Sequence, residues 1–264
     1  MLAIGTGAKK ALLRCEVHVA LHKEAPTAGV AMYFDDSARV LVGERPGAYE
    51  ASFSAESSRG VLLARSKAAN ESRIKRAIDV VGAASLLLFF LPVMLLIALA
   101  VRIETRGPAL FRQQRYGTDR CVFLLLKFRS MTVQETEGAF RQVSSGDERI
   151  TRVGAFLRRT SLDELPQLIN VLKGDMSLVG PRPHAVAMDD AFGRILPNYN
   201  DRHLVRPGIT GLAQIEGFRG PTDGMEKIRM RLRCDRAYIR RWSPLYDIKI
   251  LLQTPLRLLN PNAF

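Results

Sequence analysis

The sequence predicts an α+β chain, predominantly helical: a monotopic membrane protein with a re-entrant helical hairpin and a small cytosolic domain whose amphipathic helices lie on the membrane surface. Three observations lead there. An uncharged run at 80–101 is long enough for lipid, yet Pro92 interrupts it and bases flank it on both sides. The segments after it alternate a short strand-like run with stretches of helical periodicity. Most of the net charge of +13 also belongs to this later part, since residues 70–264 hold 30 Lys and Arg against 19 Asp and Glu, while residues 1–69 hold 9 against 7. Such a balance seeks anionic partners: nucleic acid, an acidic membrane surface or phosphorylated substrates.

Three regions follow along the chain. Residues 1–69 form a poorly defined N-terminal extension, rich in Ala, Gly and Ser and ending in "ASFSAESSRG" and "ARSKAANES", which read as loop or linker. Two short strands around Asp35, Asp36 and Ser37 are expected within it. The opening "MLAIGTGAKKALLR" lacks the apolar region of a signal peptide, and "GTGAKK" lacks the spacing of a phosphate loop. Cys15, Cys121 and Cys234 are odd in number and far apart, with no CxxC, which argues against zinc and against a disulfide framework.

Residues 70–106 carry the membrane segment. Its 22 uncharged residues would reach about 33 Å as a straight helix, against roughly 30 Å of bilayer hydrocarbon. Arg65, Lys67, Arg73, Lys75 and Arg76 precede it, and Arg102, Arg106, Arg112, Arg115 and Arg120 follow it. The positive-inside rule then draws both ends to the cytoplasm. Pro92 removes a backbone donor and favours a kink. The halves, 80–91 and 93–101, reach about 18 Å and about 14 Å, so neither crosses alone but the pair can dip in and return.

Residues 107–264 form the cytosolic domain. A buried-looking run from Cys121 to Leu126 predicts a short strand, and Leu165, Leu168, Ile169 and Leu172 predict a helix that Gly174 terminates. At the C-terminal end, residues 240–260 mix Trp242, Tyr246, Leu251 and Leu252 with Arg240, Arg241, Lys249 and Arg257. This composition suits a helix in the headgroup layer, and equally an ordinary amphipathic core helix.

The stretch "SLDELPQLIN" at 161–170 places Asp163 beside Glu164 at the start of that predicted helix. One reading is capping, either a Ser161/Glu164 capping box or Asp163 as the cap with Pro166 in the first turn. The other is catalysis. A cap needs none of the nearby Arg158, Arg159, Lys173, Arg182, Lys127 or Arg206. A carboxylate attacking a pyrophosphate does need them, because two unit charges at 4 Å repel by about 4 kcal/mol at an effective dielectric of 20. "SLVGPRP" at 177–183 is a stiff loop able to present Arg182 as a bidentate fork for phosphate.

"KFRSM" at 127–131, "TRVGAFLRRTSLDELPQLINVLKGDMSLVGPRP" at 151–183 and "VRPGITGLAQIEG" at 205–217 carry a resemblance to the bacterial sugar transferases, the monotopic phosphoglycosyl transferases. The resemblance runs from about residue 73 to the C-terminus. It implies an enzyme of the bacterial inner membrane, with its catalytic domain on the cytoplasmic face, that moves a sugar 1-phosphate from a UDP-sugar to undecaprenyl phosphate and releases UMP. That is the first membrane step of a polysaccharide repeat unit. By the same resemblance Asp163 is the nucleophile, Glu164 its partner in the dyad, and Lys127, Arg158 and Arg182 are phosphate and active-site contacts; Arg129 and Arg206 join them as candidate phosphate-binding residues, although a stiff Pro-Gly loop also explains the "RPGITG" stretch. Mg²⁺ is the implied cofactor, held by Asp163 and Glu164. Where many members place Ser before the helix-breaking proline, this chain has Leu91, and larger relatives carry extra membrane helices that residues 1–69 lack.

The competing reading is a non-catalytic protein whose bases grip anionic lipid, at about 1 kcal/mol per base. It explains the charge but not the arrangement of "KFRSM", Asp163-Glu164 and "GPRP". Nucleic acid is disfavoured, because aromatics do not interleave with the basic stretches. His18, His22, His184 and His203 lack metal-type neighbours and read as structural or surface residues. The sugar and the oligomeric state, a homodimer included, are not fixed by sequence.

Overall fold

The computed structural model describes residues 48–132, 147–218 and 224–258. Contacts divide the chain into Met1–Ser52 and Phe53–Phe264, and the core and site described below belong to the second unit. The expected N-terminal strands, "GTGAKK" and the His18/His22 pair lie outside the described residues.

Where the sequence predicts a linker, the chain forms helix α1, Ala48–Glu71. Its small residues leave helix formation to tertiary contacts, and Leu62, Ser66 and Ala69, spaced i, i+4, i+7, are buried at 0%, 5% and 1% exposure. Ser72 interrupts the path, and its side chain accepts from Lys75 N to cap helix α2, Arg73–Glu104. Helix α2 continues through Pro92 for 32 residues, so the expected halves form one assigned helix. Among the described residues it alone is long and apolar enough to cross a membrane. Leu88, Phe89, Leu95, Leu96 and Leu99 are each more than half exposed, a surface suited to lipid rather than water.

After α2 the chain makes an antiparallel hairpin from β1, Leu110–Tyr116, and β2, Val122–Phe128. Strand β2 is the one expected near Cys121; its partner was not foreseen. Helix α3, Arg152–Thr160, leads through a 3-10 turn, Leu162–Glu164, into α4, Gln167–Lys173, which Gly174 ends at φ 90° as the sequence predicts. Then come β3, Ser177–Val179, helix α5, Val186–Ile195, a 3-10 turn at Tyr199–Leu204, and β4, Gly208–Thr210. Helices α6, Leu212–Ile215, α7, Met225–Arg241, and α8, Pro244–Leu258, complete the described chain.

Strands β3 and β4 run parallel and lay "GPRP" against "RPGITG". Contact is so close that a Cβ on Gly208 would sit 2.1 Å from Gly180 N, so no larger residue fits. The core gathers Leu125, Val171, Val179, Tyr238 and Ile250 from five of these elements, with Met176 from the loop before β3. Helix α8 is two-faced: Asp247 and Ile250 are buried, while Leu245, Ile248, Leu252 and Leu256 form an exposed apolar stripe.

Both ends of α2 are fastened to this body. At its N-terminal end Lys75 Nζ reaches Asp247 at 2.7 Å and Val179 O at 3.0 Å, and Asp79 accepts from Ser177 Oγ and Leu178 N at 2.9 Å each. Arg76 forks onto the carbonyls of Val171 and Leu172 at the end of α4. At the other end Glu104 accepts from Arg152 N at 2.7 Å and from Val153 N, closing the first turn of α3. Among the described residues Cys234 is a free thiol, partly buried.

Candidate active site

Helix α3 is set by close approach: Thr151 caps it through Gly154 N at 2.9 Å, and a Cβ on Gly154 would lie 2.1 Å from Ser130 O. The helix ends at Ser161, whose φ of 61° turns the backbone left-handed and throws the next residues into the 3-10 turn. That turn carries Asp163, which is only 8% exposed.

Neither acid acts as a cap. The turn has no side-chain cap hydrogen bond, and α4 begins after Pro166 without one. Glu164 instead receives the Arg182 guanidinium as a two-pronged fork, Nη1 to Oε2 at 2.9 Å and Nη2 to Oε1 in close contact. Arg182 is delivered by the stiff loop after β3, and its own carbonyl accepts from Arg202 Nη2 at 2.7 Å.

Charge then decides what Asp163 can do. Burial pushes its carboxyl up to about 6, and the neighbouring Glu164 adds to this, while Lys127, Arg158 and Arg182 pull it down. Burial also lowers the Lys127 ammonium to about 8, helped by Arg115 and Arg158 and opposed by Asp163 and Glu164. Burial would lower Arg182, but Glu164 overcomes it and holds the guanidinium firmly charged. The result is a carboxylate ionised at neutral pH yet stripped of water, facing three cations. Such a group is a stronger nucleophile than a solvated one, and the cations around it suit an anionic ligand.

The structure therefore brings Asp163, Glu164, Lys127, Arg158 and Arg182 together. Arg129 is turned elsewhere, donating to the carbonyls of Arg106 at 2.7 Å and Thr105 at 2.8 Å beyond the end of α2. Arg206 faces the α1–α2 junction, with Nη1 3.4 Å from Asn70 O and Arg76 and Asp79 as its charged neighbours. Two residues escaped sequence reasoning. Arg115 acts on Lys127 by charge, and Arg202, 4% exposed, also binds Asp235 at 3.1 Å and the Tyr199 hydroxyl at 2.9 Å. No local signal marks either one. His184 belongs to the Arg202 network, with Nδ1 2.8 Å from the Tyr199 hydroxyl, and burial keeps it neutral.

Among the described residues there is no group of three or more His, Cys, Asp or Glu side chains placed to hold a metal ion. Asp163 and Glu164 nonetheless fit Mg²⁺, which commonly takes one or two carboxylates and completes its shell with water and substrate phosphate oxygens. The Arg182 fork occupies only part of the Glu164 lone-pair capacity.

Comparison with known proteins places this geometry in context. The sequence profile described as Bacterial sugar transferase matches residues 70–261. The UDP-glucose:undecaprenyl-phosphate glucose-1-phosphate transferase of Caulobacter vibrioides is 51% identical over 191 residues, 72% of each chain. The protein of the same name from Escherichia coli is 53% identical over 181 residues, 69% of this chain but 39% of the relative, so the chain spans well under half of that longer protein. The exopolysaccharide production protein PSS of Rhizobium leguminosarum bv. phaseoli is 44% identical over 185 residues, 69% of this chain and 92% of the relative. The matched span contains the three motifs, the Asp163 turn and the Arg182 loop, and the chain belongs to the bacterial sugar transferase family.

Proposed function

We propose that this protein transfers a sugar 1-phosphate from a UDP-sugar to undecaprenyl phosphate, yielding undecaprenyl-diphosphate sugar and UMP and starting a repeat unit of exopolysaccharide. The observation that carries the reading is the buried Asp163, raised to about 6 and faced by Lys127, Arg158 and Arg182. A Asp163 carboxylate oxygen attacks the β-phosphorus of the donor, an O–P bond forms, and the bond to UMP breaks. A phosphate oxygen of the lipid then attacks the same phosphorus and returns the carboxylate. Lys127, Arg158 and Arg182 blunt the repulsion between anions in both steps, while Glu164 fixes the Arg182 fork. Mg²⁺, bound by Asp163 and Glu164, would supply further neutralisation of phosphate charge.

Glucose is the proposed sugar, since relatives named for UDP-glucose match at 51% and 53% identity, above the 41% of one named for N-acetylgalactosamine. A re-entrant α2 is supported by its fastening: Lys75 and Asp79 near one end and Glu104 at the other bond to the same unit, which a helix crossing the bilayer would separate. The catalytic part then lies at the cytoplasmic face, as the flanking bases require. The purified protein, given radiolabelled UDP-glucose and undecaprenyl phosphate, should release UMP and pass through a trappable phosphosugar adduct. A protein that binds anionic lipid but releases no UMP from any of a panel of UDP-sugars would overturn the reading.

A further inference from the structure

Between the last turn of α2 and strand β1 the surface opens into a cavity of about 1100 Å³, lined among others by Ala98, Arg102, Arg106, Leu110, Phe111 and Arg112. Resting on the transfer reaction above, we propose that this cavity receives the acceptor lipid, the guanidinium groups taking its phosphate and the apolar wall its first isoprene units.

The lining is two-sided. Arg102, Arg106 and Arg112 are exposed, and no carboxylate among the described residues pairs with them. Ala98, Leu110 and Phe111 supply an apolar wall that continues into the exposed Leu95, Leu99 and Ile103 of α2. An anion without a tail leaves that wall wet, and a tail without an anion leaves three cations unanswered. A polyprenyl phosphate satisfies both. A UDP-sugar has no group for the apolar side.

Location ties the cavity to the chemistry. Strand pairing sets Phe111 opposite Lys127, whose Nζ lies 5.4 Å from the Phe111 ring centre, and Lys127 acts by charge on Asp163. One residue of the cavity wall is thus in contact with an active-site cation. The rim is held by Arg129: its guanidinium binds the carbonyls of Thr105, Arg106 and, at 3.4 Å, Gly107, and a Cβ on Gly107 would come within 2.5 Å of Arg129 Nη1. Arg129 is thereby a positioning residue for the acceptor's entry, which accounts for a base that the "KFRSM" motif carries but the Asp163 cluster does not use.

Two-step chemistry makes the test clean, because UMP release from the donor needs no lipid. In neutral phosphatidylcholine nanodiscs, the Arg102→Gln/Arg112→Gln pair should keep the UMP burst and the KM for UDP-glucose. Its KM for undecaprenyl phosphate should rise roughly tenfold to thirtyfold, the loss of two phosphate-facing bases. Should the pair lose the burst through misfolding, the single variants serve the same comparison. An unchanged acceptor KM overturns the proposal, as does an equal rise in the KM for UDP-glucose. So does weakened binding to phosphatidylglycerol vesicles with the acceptor KM retained, which would make the surface a contact for bulk lipid. Absence of any burst in the unmodified protein would instead sink the transfer reading itself, and the cavity assignment with it.

Discussion

Replacing Asp163 by Asn should abolish transfer and at the same time make the protein more stable. The carboxyl moves from its ordinary 3.8 to about 6 on folding, because burial and Glu164 outweigh three cations. At roughly 1.4 kcal/mol per pH unit, the ionised form costs about 3 kcal/mol of folding free energy. The sign follows from proton counting: between about pH 4 and 6 the folded state holds more protons than the unfolded, so stability falls as pH rises through that window. Above about 6 the whole cost is present; below about 4 it vanishes. Asn keeps the shape without the charge and removes the cost. For a domain of this size about 3 kcal/mol corresponds to roughly 6–12 °C in Tm. Thermal scans of both proteins in the same detergent at pH 4.5 and pH 7.5 should show a difference that opens at the higher pH. An Asn variant less stable than the parent at pH 7.5, or a gap independent of pH, would refute the argument that charge is stored at this site against folding.

Two further outcomes follow from the same geometry. Because Asp163 must be ionised and Lys127 charged, kcat/KM for the UDP-sugar should rise through about pH 6 and fall above about pH 8. Glu164→Gln removes the like charge and should move the acid limb lower, and a limb that stays in place would show that Glu164 does not act on the nucleophile. Away from the site, Lys75→Met leaves the buried Asp247 without its cation, held only by the Tyr238 hydroxyl and Trp242 Nε1, and should cost about 3–5 kcal/mol in denaturant titrations, whereas adding Asp247→Leu should recover part of it. A single substitution costing under about 1 kcal/mol would mean that the pair does not anchor α2.

The proposed cluster was legible where it is local. Asp163, Glu164, Arg158 and Arg182 lie within one short motif, and their bases are visible without any fold. That neither acid caps the helix was not legible, because it turns on the left-handed Ser161 between α3 and the 3-10 turn. Helix α1 was misread for a related reason: the four serines and Gly60 of "ASFSAESSRG" dilute the helix propensity of its Ala, Glu and Arg, and the seating of Leu62 and Ala69 in the core supports the helix. Arg129 was grouped with Lys127 through the "KFRSM" motif, but β2 ends at Phe128, so strand alternation no longer governs where Arg129 points. Arg202 reaches the Arg182 carbonyl from a different turn, a pairing that exists only in three dimensions.

Those long-range contacts also explain why an apolar helix and a charged site occur on one chain. Glu104, at the end of α2, closes the N-terminus of α3, and the far end of that nine-residue helix delivers Arg158 and the Asp163 turn. The opposite end of α2 fixes β3 through Asp79 and Lys75, and the loop after β3 delivers Arg182. The Asp163 turn and the Arg182 fork are therefore hung from the two ends of a single helix, with the Glu164–Arg182 pair closing the circuit between them. A soluble carrier would not need such a frame. A reaction between a dissolved nucleotide sugar and a phosphate held at the headgroup layer does, because loss of about 1 Å in the height of the nucleophile forfeits much of the advantage of a preorganised site.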